Sequence, residues 1–527
     1  MQMSKMRDSA SLTDVVYEVV DWVAYQAKVS PKAIATRELP SGRSQGYGEM
    51  HHRVGRLAAA LRRLGVTQGD RVAFLMPNSC DILDIAFATW RLGGLVLALN
   101  HRLSAAELSF ILNDAGAKVV ICDQALNDVV VQIDAPSVQH WIETLGDGRM
   151  SQFETAIAAE TTSILDRPAQ GLGEACMLMY SSGTTGRPKG VIITYGMLHF
   201  SAVGSFGACR TTSSSVSLAA MPLFHIAAMN VSCLPMLAIG ATSIILRDFD
   251  PGAVLRAISS SDLAITHFFA VPAAFNALRQ HEASETSDFS RLVTVISGAE
   301  TVPEPLVQWW QGRGVQILEG YGLTETASAG CLLPHRDVGR KHGSTGLPTM
   351  YGPMKIMKDE HTEAAAEELG EIWVRGPVVT PGYWNLPEAT QDAFHDGWFR
   401  TGDIGRVDDE GYLYIEDRLK DMYISGGENV YPAEVENVLY SHHAIAEVAV
   451  IGVPDPKWGE VGCAVVVAKA NSEIKKSEIV EHCAAQLARF KLPMYLALLD
   501  ALPRNGTGKV LKHELRKMIK TGEIQLT

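Results

Sequence analysis

The sequence predicts an α/β protein with parallel sheets, followed by a smaller α+β unit. Three observations predict it. Apolar runs of strand length alternate with helical periodicity from Gly48 to Cys122 and again from Gly252 to Leu318. That β-α-β-α order places helices on the faces of a parallel sheet. After Gly343 the pattern changes to short strands with turn signals, then after Asp421 to a compact mixture. With 527 residues, 47% hydrophobic and 20% charged, the chain is globular and too long for one core, so two or more domains are expected.

Asp14 to Lys28 reads as a helix, as does Gly48 to Leu64, which Gly65 ends. Strand Arg71 to Met76, helix Ile82 to Leu92 and strand Leu95 to Leu99 follow, then helix Ala105 to Ala115 and strand Ala117 to Cys122. The second alternation has a helix from Gly252 and strands at Ala264 to Phe269, Leu292 to Ser297 and Val315 to Leu318. A helix at Pro305 to Arg313 separates the last two. Gly370 to Arg375 and Gly411 to Glu416 are short strands of a β-rich region. The final segment has helices at Pro432 to Ser441 and Ser477 to Ala488, and strands at Ala446 to Gly452 and Gly462 to Ala468. A boundary at Leu419 to Asp421 divides the chain into residues 1–419 and 420–527.

A net charge of -13 argues against non-specific nucleic-acid binding. Eight scattered cysteines, without C-x-x-C or zinc-type spacing, fit a reducing cytoplasm. Lys5, Arg7 and Asp8 argue against a signal peptide, and the final Gln-Leu-Thr is not a peroxisomal address. Thr211 to Leu246 lacks Asp, Glu, Lys and Arg, but Pro222, His225, Asn230, Pro235 and Gly240 interrupt it. It reads as the buried wall of a core rather than an integral membrane span.

The stretch "YSSGTTGRPKGVI", Tyr180 to Ile192, combines Ser181, Ser182, Gly183, Thr184, Thr185, Gly186 and Lys189 between apolar runs. Glycines let backbone N–H groups approach an anion, hydroxyls add donors, and Lys189 adds a compact charge. Pro188 and Gly190 argue against a helix starting there, so the loop joins two strands and wraps a polyphosphate. A plain surface turn is the competing reading.

Four further stretches carry chemistry. "GYGLTET", Gly320 to Thr326, follows a strand, where open α/β sheets bind ligands. Tyr321 can stack on a base, Thr324 can bond a phosphate and Glu325 can hold a hard cation, although a helix cap at Thr324 competes. "GWFRTGD" sets Asp403 after a glycine turn, suited to a ribose diol. "DRLKDMYISGGENVYP" alternates charges before Gly426 and Gly427, and "PRNGTGKV" presents Lys509 on a Gly-rich loop. Alone, each reads equally as a turn, linker or solvated lysine.

Together these stretches resemble the acyl-CoA synthetase branch of the adenylate-forming superfamily, which also holds beetle luciferases and peptide-synthetase adenylation domains. The resemblance spans nearly the whole chain, with the motifs in the family's order. It implies a large N-terminal domain of two α/β subdomains plus a β-barrel, then a small mobile α+β lid. Ser181 to Lys189 would hold the β- and γ-phosphates of ATP. Gly298, Ala299 and Glu300 would lie against adenine, with Gly320, Tyr321 and Gly322 on the base and Asp403 with Arg418 on the ribose. Thr324 would bind phosphate and Glu325 Mg2+. Lys420 would be the hinge, Lys509 the lysine bridging carboxylate and α-phosphate, and Gly426, Gly427 and Glu428 the stretch that admits coenzyme A. Where many relatives have Gly-Ala-Pro or Gly-Ala-Ala-Pro, this chain has Glu300 and then Thr301-Val302-Pro303.

The activity implied is AMP-forming ligation of a non-amino carboxylic acid to coenzyme A, with a fatty acid or an aryl or phenylpropenoic acid as substrate and a steroid-derived acid left open. The alternatives are an adenylation enzyme loading a separate carrier protein and a luciferase-type monooxygenase. A homodimer is left open. His225, Met229, Ala299, Gly320, Ala327 and Ser328 are the acyl-pocket candidates, with Val231, His267 and Phe268 beside them, and His225 is also a catalytic candidate.

Overall fold

A computed structural model describes residues 18–165, 167–181, 188–300, 302–418, 421–425, 428–455, 458–470, 472–484, 487, 489–504 and 510–526; the side chains of residues 417, 418, 428 and 429 are outside that description. The first helix is Trp22–Val29, capped by the Asp21 carboxylate, which accepts the Ala24 N–H at 2.9 Å. The expected helix from Gly48 is Tyr47–Arg63, and Ala105–Ala115 has the expected bounds, with Ser104 and Glu107 as a capping box and left-handed Gly116 as its stop.

Two large sheets follow from the two alternations. The first has the order His140–Thr144, Ala117–Asp123, Arg71–Leu75, Leu95–Ala98, Ala175–Ser181, Lys189–Thr194. All its neighbours are parallel except the last pair, which is antiparallel. The second sheet has nine strands. Its parallel centre runs Ile317–Tyr321, Thr294–Gly298, His267–Ala270, Val216–Ala219, Thr242–Leu246, Ile34–Leu39. The Ile34–Leu39 strand is absent from the sequence reading. Its buried Thr36 and Glu38 break the apolar pattern, and Glu38 is satisfied by the Cys80 N–H at 3.0 Å and the Ser79 hydroxyl at 3.1 Å.

The charge-free stretch forms strand Val216–Ala219, short helices Ile226–Ser232 and Leu234–Ile239, and strand Thr242–Leu246. Leu234, Leu237 and Ile245 are wholly buried, as expected of a core wall. Among the described residues no helix is long and apolar enough to cross a membrane. The β-rich region is a five-stranded antiparallel sheet of Met354–Met357, Gly370–Val374, Phe394–His395, Trp398–Val407 and Leu413–Arg418. The smaller unit builds its own five-stranded sheet around Ile445–Asp455 and Gly459–Ala468, with an apolar cluster on each side. All eight cysteines are buried free thiols, and burial pushes those of Cys122 and Cys483 up to about 11.

Candidate active site

The parallel strands of the nine-stranded sheet share one carboxyl edge, and the motif residues gather there. Gly298 and Gly320 are register partners that end adjacent strands. A Cβ on Gly298 would meet the Gly320 carbonyl oxygen at 2.5 Å, so only glycine lets these strand ends approach. Ala299 then turns with φ +72°, a left-handed conformation uncommon for a residue with a side chain.

The Tyr321 hydroxyl donates to Asp403 Oδ2 at 2.7 Å. Burial and that carboxylate push the phenol well above its usual range, so it stays a donor. One hydrogen bond therefore ties the sheet edge to the Trp398–Val407 strand, where Asp403 lies directly opposite Arg418 in the ladder. Sequence reasoning gave Tyr321 only a base to stack on; here it also orients the carboxylate expected at the ribose.

Thr324–Thr326 is a single 3-10 turn. The Thr326 hydroxyl accepts the Leu323 N–H at 3.0 Å, so Thr326 supplies the local cap and Thr324 does not. Glu325 Oε1 accepts the Tyr383 hydroxyl at 3.0 Å, and Lys189 Nζ sits 5.0 Å from the Tyr383 ring centre. The segment around Tyr383 is stitched to the Lys189–Thr194 strand: Ile192 N–H donates to the Gly382 carbonyl and Trp384 N–H to that of Gly190. Ser181 and Lys189 face each other at the end of the antiparallel pair, so the loop does join two strands. Its residues Ser182, Gly183, Thr184, Thr185 and Gly186 lie outside the described residues. So do Lys420, Gly426, Gly427 and Lys509. Ser425 and Glu428 pair across the hairpin that contains the two glycines.

Below the edge lies a cavity of about 120 Å3. Gly298, Ala299, Gly320, Tyr321, Gly322 and Ser328 line its carboxyl end, and Val231, Phe268 and Ile296 its walls. Ser217, His267 and Thr294 line the amino end of the same strands. His267 Nε2 donates to the Cys209 carbonyl at 2.9 Å, and Thr294 Oγ1 donates to the same oxygen at 2.6 Å. Burial lowers the His267 pKa, leaving it neutral. Asn230 Oδ1, Ser328 Oγ and Thr349 Oγ1 also belong to lining residues, and each is buried without a hydrogen-bond partner. Asn230 Nδ2 donates to the Ser201 hydroxyl at 2.9 Å and the Ala327 carbonyl at 2.6 Å. That grip holds Ala327 and Ser328 at φ +49° and +66°.

Met229 and Ala327 are wholly buried core residues and do not line the cavity. On the Ile226–Ser232 helix it is Ala227, Asn230 and Val231 that share the cavity face. His225 precedes that helix, its ring 4.4 Å from Phe224 and outside the lining.

A family model for "AMP-binding enzyme" matches residues 23–384, and one for "AMP-binding enzyme C-terminal domain" matches residues 434–509. The chain belongs to the AMP-binding enzyme family. A feruloyl-CoA synthase from Amycolatopsis sp is 40% identical over 499 residues, covering 94% of this chain and 98% of that protein. Long-chain-fatty-acid--CoA ligase FadD13 of Mycobacterium tuberculosis is also 40% identical, over 506 residues, with the same coverage. The o-succinylbenzoate CoA synthetase MenE from Bacillus subtilis, solved with its acyl-adenylate, superposes with a TM-score of 0.84 at 32% identity. That match covers 95% of this chain and 99% of the other. The protein is an AMP-forming acyl-CoA synthetase that uses ATP, Mg2+ and coenzyme A.

Among the described residues of the synthetase no three His, Cys, Asp or Glu side chains cluster as a metal cage. A single carboxylate, Glu325, suits Mg2+, which is commonly held by one or two carboxylates and the substrate's phosphates.

The Ile317–Tyr321 strand also carries a buried acid. Glu319 is 5% exposed, and burial pushes its carboxyl up to about 8, well above the usual carboxylate range. The unfolded chain releases this proton near pH 4.5 and the folded chain near 8, so the group removes stability as pH rises through that window. Glu319→Gln is expected to flatten the fall by up to about 1.4 kcal/mol per pH unit. Denaturant melts at pH 5.5 and 7.5 check this, and equal shifts at both would contradict it.

Proposed function

We propose that this synthetase activates a phenylpropenoate-sized aryl acid with hydroxyl or methoxyl groups on its ring. The observation that carries the reading is hydrogen-bonding groups in an otherwise apolar cavity: Ser217 at one end, and the unpartnered Asn230, Ser328 and Thr349 atoms. Buried polar atoms without partners are costly, and a plain alkyl chain offers them nothing. Thr294 to Gly298 is five residues of strand, ~13 Å from first to last, which matches such an acid laid along the sheet. Relatives named for ferulate and for long-chain fatty acids are equally similar, so the reading is supported by the cavity and not by similarity.

In this reading the acid's carboxylate oxygen bonds to the α-phosphorus of ATP as the α–β bridging P–O bond breaks and pyrophosphate leaves. The coenzyme A thiol then loses its proton, its sulfur bonds to the acyl carbon, and the acyl–oxygen bond breaks to release AMP. Two anions meet in the first step, so charge neutralisation dominates its barrier. We assign the Ser181–Lys189 loop, Thr324 and Lys509 to the phosphates, Glu325 to Mg2+, which neutralises phosphate charge when bound, and Asp403 with Arg418 to the ribose. Residues 420–527 act as the lid, turning at Lys420 to bring Gly426 to Glu428 toward the thiol.

The test is a panel of acids scored by pyrophosphate release. Hydroxycinnamates should exceed C10–C16 fatty acids in kcat/KM by at least about 10-fold; the reverse order overturns the reading. Ser217→Ala removes one cavity hydroxyl and little volume. It should shrink the preference for hydroxylated over unsubstituted cinnamate about 5-fold, the worth of one hydrogen bond. An equal loss with both acids would remove Ser217 from the substrate's distal end.

A further inference from the structure

Glu300, the departure from the commoner Gly-Ala-Pro pattern, reaches the C-terminal unit. Its Oε1 accepts the Val510 N–H at 2.9 Å, and its Oε2 lies 3.8 Å from Arg504 Nη1. Arg504 and Val510 are antiparallel bridge partners, and the Leu511 N–H donates to the Pro503 carbonyl at 2.8 Å. They are therefore the two legs of one hairpin, and one carboxylate holds both. Arg504 Nη2 is held in turn by Glu447 Oε2 at 3.0 Å. The side chains of Glu300 and Arg504 are about four-fifths covered, at 21% and 22% exposure, so solvent screens the contact only in part.

The other side of Glu300 is anchored. It follows left-handed Ala299 and Gly298, whose packing against Gly320 leaves no room for a Cβ. The carboxylate is thus presented from the sheet edge expected to face adenine to Arg504 and Val510, the residue after Lys509 in the chain. Tyr440, on the Pro432–Tyr440 helix, marks the same junction: burial, Glu436 and Glu300 all push its phenol up.

We propose that Glu300 is a positioning residue for adenylate formation, fixing Arg504 and Val510 against the nucleotide edge and so setting Lys509, which precedes Val510 in the chain, for that half-reaction alone. The proposal rests on the adenylating-ligase reading and deepens it. A contact made in one arrangement of the lid and absent from the other biases the equilibrium by its own free energy. A carboxylate that grips the hairpin in this arrangement therefore favours adenylation and contributes nothing to thiol transfer.

Each half-reaction is measured separately: single-turnover pyrophosphate release from ATP and acid, and transfer from supplied acyl-adenylate to coenzyme A. Glu300→Ala should slow the first about 30-fold, the range of lost charge-assisted hydrogen bonds, and leave the second within about 2-fold. Glu300→Gln keeps an acceptor for Val510 and should lose about 5-fold. Arg504→Met should show the same split, and Glu300→Ala/Arg504→Met should be no slower than Glu300→Ala alone, because both act through one contact. Equal slowing of both steps, or a raised KM for ATP with an unchanged single-turnover rate, overturns the proposal. Should Glu300→Ala fold poorly, Glu300→Gln and Arg504→Met carry the same comparison. If wild type releases no pyrophosphate with any acid, the ligase reading itself fails, which is a separate result.

Discussion

Lys509→Ala is expected to slow acyl-adenylate formation about 10³-fold, at the upper end of what one electrostatic element contributes, while sparing transfer from supplied acyl-adenylate to coenzyme A. The attacking carboxylate and the α-phosphate are both anionic, and a lysine between them offsets the repulsion as they approach. Once the adenylate exists, that repulsion is gone. The thiol attacks a neutral carbonyl, and a lysine held over it would obstruct the approach. Rapid-quench measurement of each half-reaction checks this. Equal slowing of both steps would make Lys509 a general binding residue and remove the basis for a lid with two working positions.

Glu325→Gln should lower kcat roughly 10²-fold or more with the acid-binding cavity intact, about 3 kcal/mol of lost electrostatic stabilisation. The substitution keeps the side chain's size and leaves an oxygen to accept the Tyr383 hydroxyl, now 3.0 Å from Glu325 Oε1. What it removes is the charge. The defect should persist at saturating Mg2+ for pyrophosphate release, while the KM for the acid changes little. Near-normal turnover would mean that Glu325 serves the 380–384 segment structurally: the Thr380 N–H already donates to its carbonyl at 2.7 Å.

Much of this site could be read from local chemistry. The loop from Tyr180 was expected to join two strands because Pro188 and Gly190 oppose a helix, and Ser181 does pair with Lys189. Gly298 and Gly320 stood at the ends of apolar strands, so a shared carboxyl edge followed from the parallel-sheet pattern. The omissions have physical causes. Tyr383 acts 58 residues from Glu325 and 194 from Lys189 in the chain, and nothing local in Pro381-Gly382-Tyr383 indicates that partnership beyond a turn. Ile34–Leu39 hides because buried polar side chains interrupt its apolar pattern. Met229 is a pocket candidate from the sequence and Asn230 is not, because an apolar helix carries no sign of which face meets the void. Phase is set by the packing of Ile226–Ser232 against its neighbours, and only that packing turned Asn230 inward.

The burial of every cysteine has a consequence for an enzyme whose last substrate to react is a free thiol. Mixed disulfides form when a thiolate attacks oxidised coenzyme A, and the rate depends on access and on the thiolate fraction. Here the sulfurs are covered and burial disfavours their ionisation, with the Cys80 thiol pushed up to about 12. The native protein therefore competes poorly for oxidised cofactor and escapes self-capping when the cell's thiol pool is stressed. It also presents almost no background to a thiol-reactive dye, so the disappearance of coenzyme A can be followed continuously in the enzyme's presence.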